Sequence, residues 1–333
     1  SQLHVGKKLE KCWKFMEEIE LISSSNGDTF NGRLLNFSEM YVDDSIKSAV
    51  LRVLDSGTWV KGQELKLFEK EFAQFCNTKY AVGANSGTSA ILLALMAIGI
   101  GKGDEVIVPS HTFIASASPI KFLGATPVYA DIDPYTYTID PEHVEELITD
   151  NTRAIIPVHL YGHPADMGAI MDINKELYII EDACQAHGAE YKGEKVGSIG
   201  DMGCFSFFPS KNMTVAGDGG MVTTNKEYLA DRISILRDHG RKGKYVSKRL
   251  GLNLRMSEIP AAIGREQLKH LPEWIKKRRT IAKVYNSLLD DYVETPVYSK
   301  DAKHVFHLYV IQTDRRDELA EYLKSYDKEI SVL

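Results

Sequence analysis

Between residues 80 and 224, short apolar runs alternate with helical stretches, and that alternation limits the chain to few folds. Strand-forming runs cover 80–84, 105–109, 126–130, 154–160, 177–181, 204–208 and 220–224. Helical patterns at 88–98, 113–123 and 142–148 fall between the early ones. Apolar strands joined through helices specify βαβ units and a mainly parallel sheet covered on both faces. The expected class is therefore α/β, a large domain on a mainly parallel seven-stranded sheet flanked by helices. Beyond Asp238 the pattern changes. Residues 259–268 and 274–289 read as two helices joined through Pro272, and 307–312 read as a strand of a separate small layer, which makes a smaller C-terminal α+β domain. Residues 5–22 place apolar side chains at helical spacing before a polar stretch at 23–28, an N-terminal helical arm. The expected boundaries are 1–34 for the arm, 35–250 for the large domain and 251–333 for the small one.

The net charge of -6 supplies no general pull toward nucleic acid or an anionic membrane, so any phosphate on a ligand must be held by local groups. The expected partners are small molecules. Four cysteines without a CxxC spacing indicate neither a disulfide framework nor a zinc site, and no metal is expected. The longest apolar stretch, 90–100, is too short for a bilayer, which takes about 20 residues. The basic start lacks the apolar run of a secretory signal, so the expected location is the cytoplasm.

In open parallel sheets, ligands sit beyond the carboxyl ends of the strands. The first such end opens Asn85-Ser86-Gly87-Thr88-Ser89-Ala90, whose free amides and helix dipole suit a phosphate, although a hydroxyl at a helix start is more often only a cap. The second runs into Glu181-Asp182. One carboxylate there can hold a protonated ring nitrogen, or merely cap a loop or pair with an arginine. Gln185 and His187 follow at alternating positions. The third end carries Lys211 between an apolar strand and Gly217-Asp218-Gly219-Gly220; an isolated lysine is usually solvated, but one enclosed in a site is a nucleophile toward aldehydes. The fourth offers Phe113, which can stack on a flat ring or join the core.

In order and local sequence, these blocks resemble the DegT/StrS sugar aminotransferases, fold-type-I enzymes that use pyridoxal 5'-phosphate (PLP). The resemblance runs from about residue 35 to about residue 326. It rests on Ser86-Gly87-Thr88-Ser89-Ala90, on Glu181-Asp182-Ala183-Cys184-Gln185-Ala186-His187-Gly188, on Ser206-Phe207-Phe208-Pro209-Ser210-Lys211-Asn212, and on Gly251-Leu252-Asn253-Leu254-Arg255-Met256. It implies that Lys211 carries the cofactor as a Schiff base, that Asp182 pairs with its ring nitrogen and that Gln185 meets its phenolic oxygen. Phe113 would stack on the ring, while Gly87, Thr88 and Ser206 bind its phosphate. Asn253 would reach that phosphate from a neighbouring subunit, making a homodimer the catalytic unit. The implied reaction transfers an amino group from glutamate, or a similar amino acid, to a nucleotide-linked keto-sugar. Trp59, His159, His187 and Arg255 are the expected substrate contacts, with 205–208 and 57–59 shaping the sugar pocket. Two departures stand out: Asp218 replaces the family's usual Glu, and the chain stops at Leu333, short of the family's usual C-terminal segment.

A nicotinamide-binding reading is disfavoured because Gly99-Ile100-Gly101-Lys102-Gly103 precedes a strand instead of following one. Relatives that deoxygenate sugars resemble the family but carry histidine at the Schiff-base position, where this chain has Lys211. A non-catalytic binder would need neither Lys211 nor Asp182.

Overall fold

The structure, a computed structural model, describes residues 40–243 and 246–324. The expected N-terminal arm lies outside the described residues. Helix α1 (Asp44–Ser56) starts where the Asp43 carboxylate accepts the Ile46 amide and stops at Gly57, whose positive φ of 64° ends the helix without strain. Its buried Ile46, Ala49 and Val53 form one helical stripe. Helix α2 (Gln63–Phe75) begins at Gly62, which has no side chain to cap it; the carboxylate of the distant Glu258 accepts the Gly62, Glu64 and Leu65 amides instead.

The main sheet contains β1 (Tyr80–Ala84), β2 (Glu105–Pro109), β3 (Thr126–Ala130), β4 (Thr152–Ile155), β5 (Tyr178–Asp182), β8 (Met202–Ser206) and β9 (Gly220–Thr224), in the order β1-β9-β8-β5-β4-β2-β3. β9 pairs antiparallel with both β1 and β8, and the remaining pairs are parallel. The seven-stranded, mainly parallel sheet therefore forms as expected. Alternation along the strands divides the core. Val82, Cys204 and Val222 pack under α3 (Gly87–Ile98) and α7 (Glu227–Leu236). Ala81, Phe205 and Met221 pack against α2 and the long helix α8 (Glu258–Leu289). Because β1, β2, β5 and β8 run the same way, residues 85, 110, 183 and 207 leave the sheet along one edge. There Gly220 pairs with both Ala84 and Ser206.

Several elements depart from the sequence reading. The helix expected at 113–123 divides into a 3-10 turn at Ile114–Ser116 and α4 (Ser118–Phe122), because Pro119 has no amide to continue a helical ladder. The strand expected at 154–160 ends at Ile155 ahead of Pro157, leaving an isolated bridge between Val158 and Asp182. The two helices expected around Pro272 are one helix of 32 residues. Pro272 faces solvent while Leu271 and Ile275 stay buried on either side of it, so the missing bond falls on the outer face and core packing carries the helix through. Short helices α5 (Pro141–Glu146) and α6 (Met167–Ile173) cover the sheet near β3 and β4.

The strand expected at 307–312 is absent, with only a single bridge between Glu294 and Gln312. Among the described residues this stretch has no ladder partner, and the adjoining backbone is held by other groups. On α8, the Arg278 guanidinium donates to the Phe306 carbonyl (3.1 Å) and Arg279 donates to the His304 carbonyl (2.7 Å). The Asn212 side-chain amide donates to the Val305 carbonyl (3.3 Å), and the Val305 amide to the Gly162 carbonyl (3.0 Å). A small three-stranded sheet joins β10 (Ala302–Lys303) to β6 (Glu190–Tyr191) and β7 (Glu194–Lys195). Helix α9 (Arg316–Lys324) packs Leu319 with Leu289 of α8.

Candidate active site

The first strand end forms a tight cradle. Ser86 caps α3 by accepting the Ser89 amide at 3.1 Å, and the first amides of this helix have no intrahelical acceptor. Gly87 has no room for a side chain: a Cβ there would lie 2.6 Å from Ser206 Cβ and 3.0 Å from Cys184 Sγ. A Cβ on Gly220 would lie 2.2 Å from the Ser86 carbonyl oxygen. The two glycines thus let the start of α3, the end of β8 and the start of β9 converge, with Thr88 exposed and Ser206 at the edge. Such a convergence of free amides and hydroxyls suits a phosphate.

Glu181 and Asp182 are adjacent in sequence yet chemically opposite. Glu181 is fully buried and saturated: its oxygens accept from the Gly197, Ile199 and Gly200 amides at 2.7, 2.9 and 2.7 Å, and His159 Nε2 lies 3.0 Å away. Asp182, 5% exposed, accepts from Ser116 Oγ (2.7 Å) and from the Cys184 amide (3.1 Å), with the Cys184 thiol as a further, weaker neighbour. Among the described residues no cation forms an ion pair with it. A carboxylate has about four acceptor sites, so part of this one's capacity is unmet in a place that water hardly reaches.

Lys211 follows β8 in the loop toward β9, where its amide donates to the Phe208 carbonyl at 2.9 Å and its side chain is partly buried. Its charge is felt by three neighbours. His187, fully buried between Phe205 and Phe207, is pushed down to about 3, first by burial and then by the Lys211 charge. Burial, followed by Lys211 and Arg278, holds His307 well below the ordinary imidazole range. The Cys184 thiol is raised by burial and by Asp182, with Lys211 acting in the opposite direction. Lys211 is thereby placed among residues of the β5 and β8 ends. The Gln185 Oε1 accepts the Tyr161 amide at 2.8 Å, which leaves its NH2 group to donate elsewhere. Phe113 is 69% exposed on the turn after β2.

Other expected contacts lie elsewhere. His159 is sealed in the interior with both ring nitrogens engaged, Nδ1 accepting the Ala165 amide at 3.0 Å, so it supports Glu181 and faces no ligand. His187 is likewise enclosed within the core. Phe205 and Phe207 are fully buried beneath the sheet, and of that run only Phe208 is exposed. Arg255 is bound to Asp238, together with Lys61 and Arg241, beside a cleft of about 190 Å³ that Lys66 and Arg237 also line. Trp59 and Asn253 are exposed near these residues: the Trp59 carbonyl accepts the Glu258 amide, and Asn253 bridges to Asp238. Within the single chain this second group is not joined to Lys211. Sequence reasoning missed Ser116 and Glu258, whose partners lie 66 and about 194 positions away, and no local pattern announces either. Among the described residues no cluster of three or more His, Cys, Asp or Glu is placed to hold a metal ion, and no helix is long and apolar enough to cross a membrane.

Known proteins share this arrangement. The model of the DegT/DnrJ/EryC1/StrS aminotransferase family matches residues 41–332. The dTDP-3-amino-3,4,6-trideoxy-alpha-D-glucose transaminase of Streptomyces venezuelae is 47% identical over 280 residues, covering 83% of this chain and 74% of that protein. A UDP-N-acetyl-3-dehydro-alpha-D-glucosamine 3-aminotransferase of Acidithiobacillus ferrooxidans is 44% identical over 277 residues, or 82% and 75% of the two chains. The crystal structure of DesV from S. venezuelae, in complex with a ketimine intermediate, has a TM-score of 0.84 at 46% identity over 85% of this chain and 78% of that one. The PLP form of Spr1654 from Streptococcus pneumoniae also gives a TM-score of 0.84, at 28% identity over 89% and 83%. With the family matched over most of its length and relatives this similar, the chain belongs to the DegT/DnrJ/EryC1/StrS aminotransferase family.

Proposed function

We propose that this protein is a PLP-dependent aminotransferase that converts a nucleotide-linked keto-sugar to an amino-sugar, with glutamate or a similar amino acid as donor. The observation that carries the reading is Asp182: a buried carboxylate, incompletely satisfied and with no cation paired to it among the described residues, at the strand end next to the one that leads to Lys211. A protonated pyridine nitrogen is the partner such a group lacks. The transaminases among the relatives, and the PLP form of a solved neighbour, support the same cofactor and reaction class.

In this reading Gly87, Thr88 and Ser206 hold the cofactor's phosphate, Asp182 its ring nitrogen and Gln185 its phenolic oxygen. Phe113 covers the ring, and Lys211 Nζ is the covalent anchor for its aldehyde. When bound, PLP supplies an electron sink for a carbanion at the donor's α carbon. Lys211 Nζ, freed when the donor's amine takes its place, would act as the base that takes the proton from that α carbon, and in the second half-reaction it would return one to the sugar carbon that gains the amine. Asp182 would accept the hydrogen bond of the protonated ring nitrogen. The presence of Lys211 where sugar-deoxygenating relatives carry histidine favours transfer over dehydration.

The catalytic unit is proposed to be a homodimer in the cytoplasm. Asn253, Arg255 and Trp59 form a group apart from Lys211, which fits a contribution to a neighbour's site. Full activity in a species sedimenting as a monomer would contradict this. The expected division at residues 250 and 251 belongs to the same proposal, with α8 leading into the smaller domain. The function is tested by incubating the enzyme with glutamate and a panel of keto-sugar nucleotides while following 2-oxoglutarate and product mass. Stoichiometric 2-oxoglutarate with an amino-sugar product is expected; a deoxy-sugar, or no gain of an amine with any of them, overturns the reading.

A further inference from the structure

We propose that Ser116, backed by Thr112, is a positioning residue that aims the Asp182 carboxylate at the cofactor's ring nitrogen. The inference rests on the PLP reading above and extends it to a residue that touches neither cofactor nor substrate. Asp182 has two fixed donors. The Cys184 amide, two residues along the same chain, approaches Oδ1, and Ser116 Oγ approaches Oδ2 at 2.7 Å, a length usual for a hydroxyl donating to a charged oxygen. Ser116 is 2% exposed, so no water takes its place.

The direction of the next bond follows from proton counting. Ser116 has one hydroxyl proton, and an ionised carboxylate can only accept, so that proton is spent on Asp182. Thr112 Oγ1, 3.0 Å from Ser116 Oγ, must then be the donor. Two hydroxyls in series point toward the carboxylate and reinforce each other. Both sit on the connection that leaves β2, and the Ser116 amide donates to the Phe113 carbonyl at 3.0 Å, so one turn fixes the carboxylate's donor and the exposed aromatic together. With Oδ1 and Oδ2 each tied on one side, rotation of the carboxylate is restrained.

The test measures cofactor affinity of the full-length apo-protein by fluorescence titration with PLP and with its 1-deaza analogue, which has carbon in place of the ring nitrogen. Ser116→Ala is expected to weaken PLP binding about tenfold, the scale of one charge-assisted hydrogen bond, and to leave the analogue within about twofold. Thr112→Val should show the same selectivity with a smaller loss, and Ser116→Thr, which keeps the hydroxyl, should restore PLP binding. Equal losses for PLP and the analogue would reduce Ser116 to a packing role and overturn the inference, as would unchanged PLP affinity or a failure of Ser116→Thr to restore it. If Ser116→Ala does not fold, the Thr112→Val titrations decide by the same criteria. If the wild-type protein binds PLP no better than the analogue, the ring-nitrogen role of Asp182 fails and the inference with it. If it binds neither, the PLP reading itself is wrong.

Discussion

Acid should weaken this fold through buried histidines before its carboxylates titrate. His187 is pushed down to about 3 and His163 to about 4 from an ordinary value of 6.5, with burial the leading cause in both and the Lys211 charge second for His187. Neither ring has a well-formed hydrogen bond on its nitrogens, although the Ser206 and Pro164 backbones each slightly favour the charged form. The unfolded chain takes up a proton at each site below about pH 6.5 while the folded chain does not. The unfolded state therefore binds more protons, and stability falls as pH drops from 6.5 toward the folded values. Integrated from pH 7 to pH 5, each histidine removes about 2 kcal/mol, or about 4 kcal/mol for the pair. Urea unfolding at the two pH values measures this share together with those of His304 and His307, which burial also holds well below the ordinary imidazole range, and His187→Gln isolates one share. The variant loses stability at pH 7, because the ring between Phe205 and Phe207 is gone, but its further loss on going to pH 5 should be about 2 kcal/mol smaller than that of the wild type. An identical pH-dependent loss in both proteins would refute the buried, neutral state of His187.

The two neighbouring acids should separate by experiment. Asp182→Asn should form a holoenzyme at saturating PLP yet lose at least about a hundredfold in kcat, since the ring nitrogen loses its counter-charge while the phosphate cradle is untouched; near-normal turnover would move the role elsewhere. Glu181→Gln turns an NH2 group toward the Gly197, Ile199 and Gly200 amides and should cost about 3 kcal/mol, read as a thermal midpoint roughly 4 °C lower. An unchanged midpoint would show that this carboxylate is not structural.

The sheet and the strand ends were legible because their signals are local: alternating apolar runs, small residues opening α3, acids ending β5 and a lysine after β8. What local pattern could not show depends on partners distant in sequence. Which of Glu181 and Asp182 is the available carboxylate is decided by amides at 197, 199 and 200 and by Ser116. His159 is an expected substrate contact in the sequence, yet its partners Glu181 and Ala165 enclose it. Pro272 read as a break because a proline rule sees the missing amide and not the buried faces on both sides of it. Residues 307–312 have strand-like composition, but a strand needs a neighbour, and arginines of α8 hold the adjoining backbone instead.

Whether Lys211 carries PLP is read from holoenzyme reduced with borohydride, digested and mapped by mass spectrometry. One pyridoxyl label per chain is expected, on the peptide containing Lys211 and on that lysine, with no such label in Lys211→Ala. A label on any other lysine, or a stoichiometric label that survives in Lys211→Ala, would contradict it.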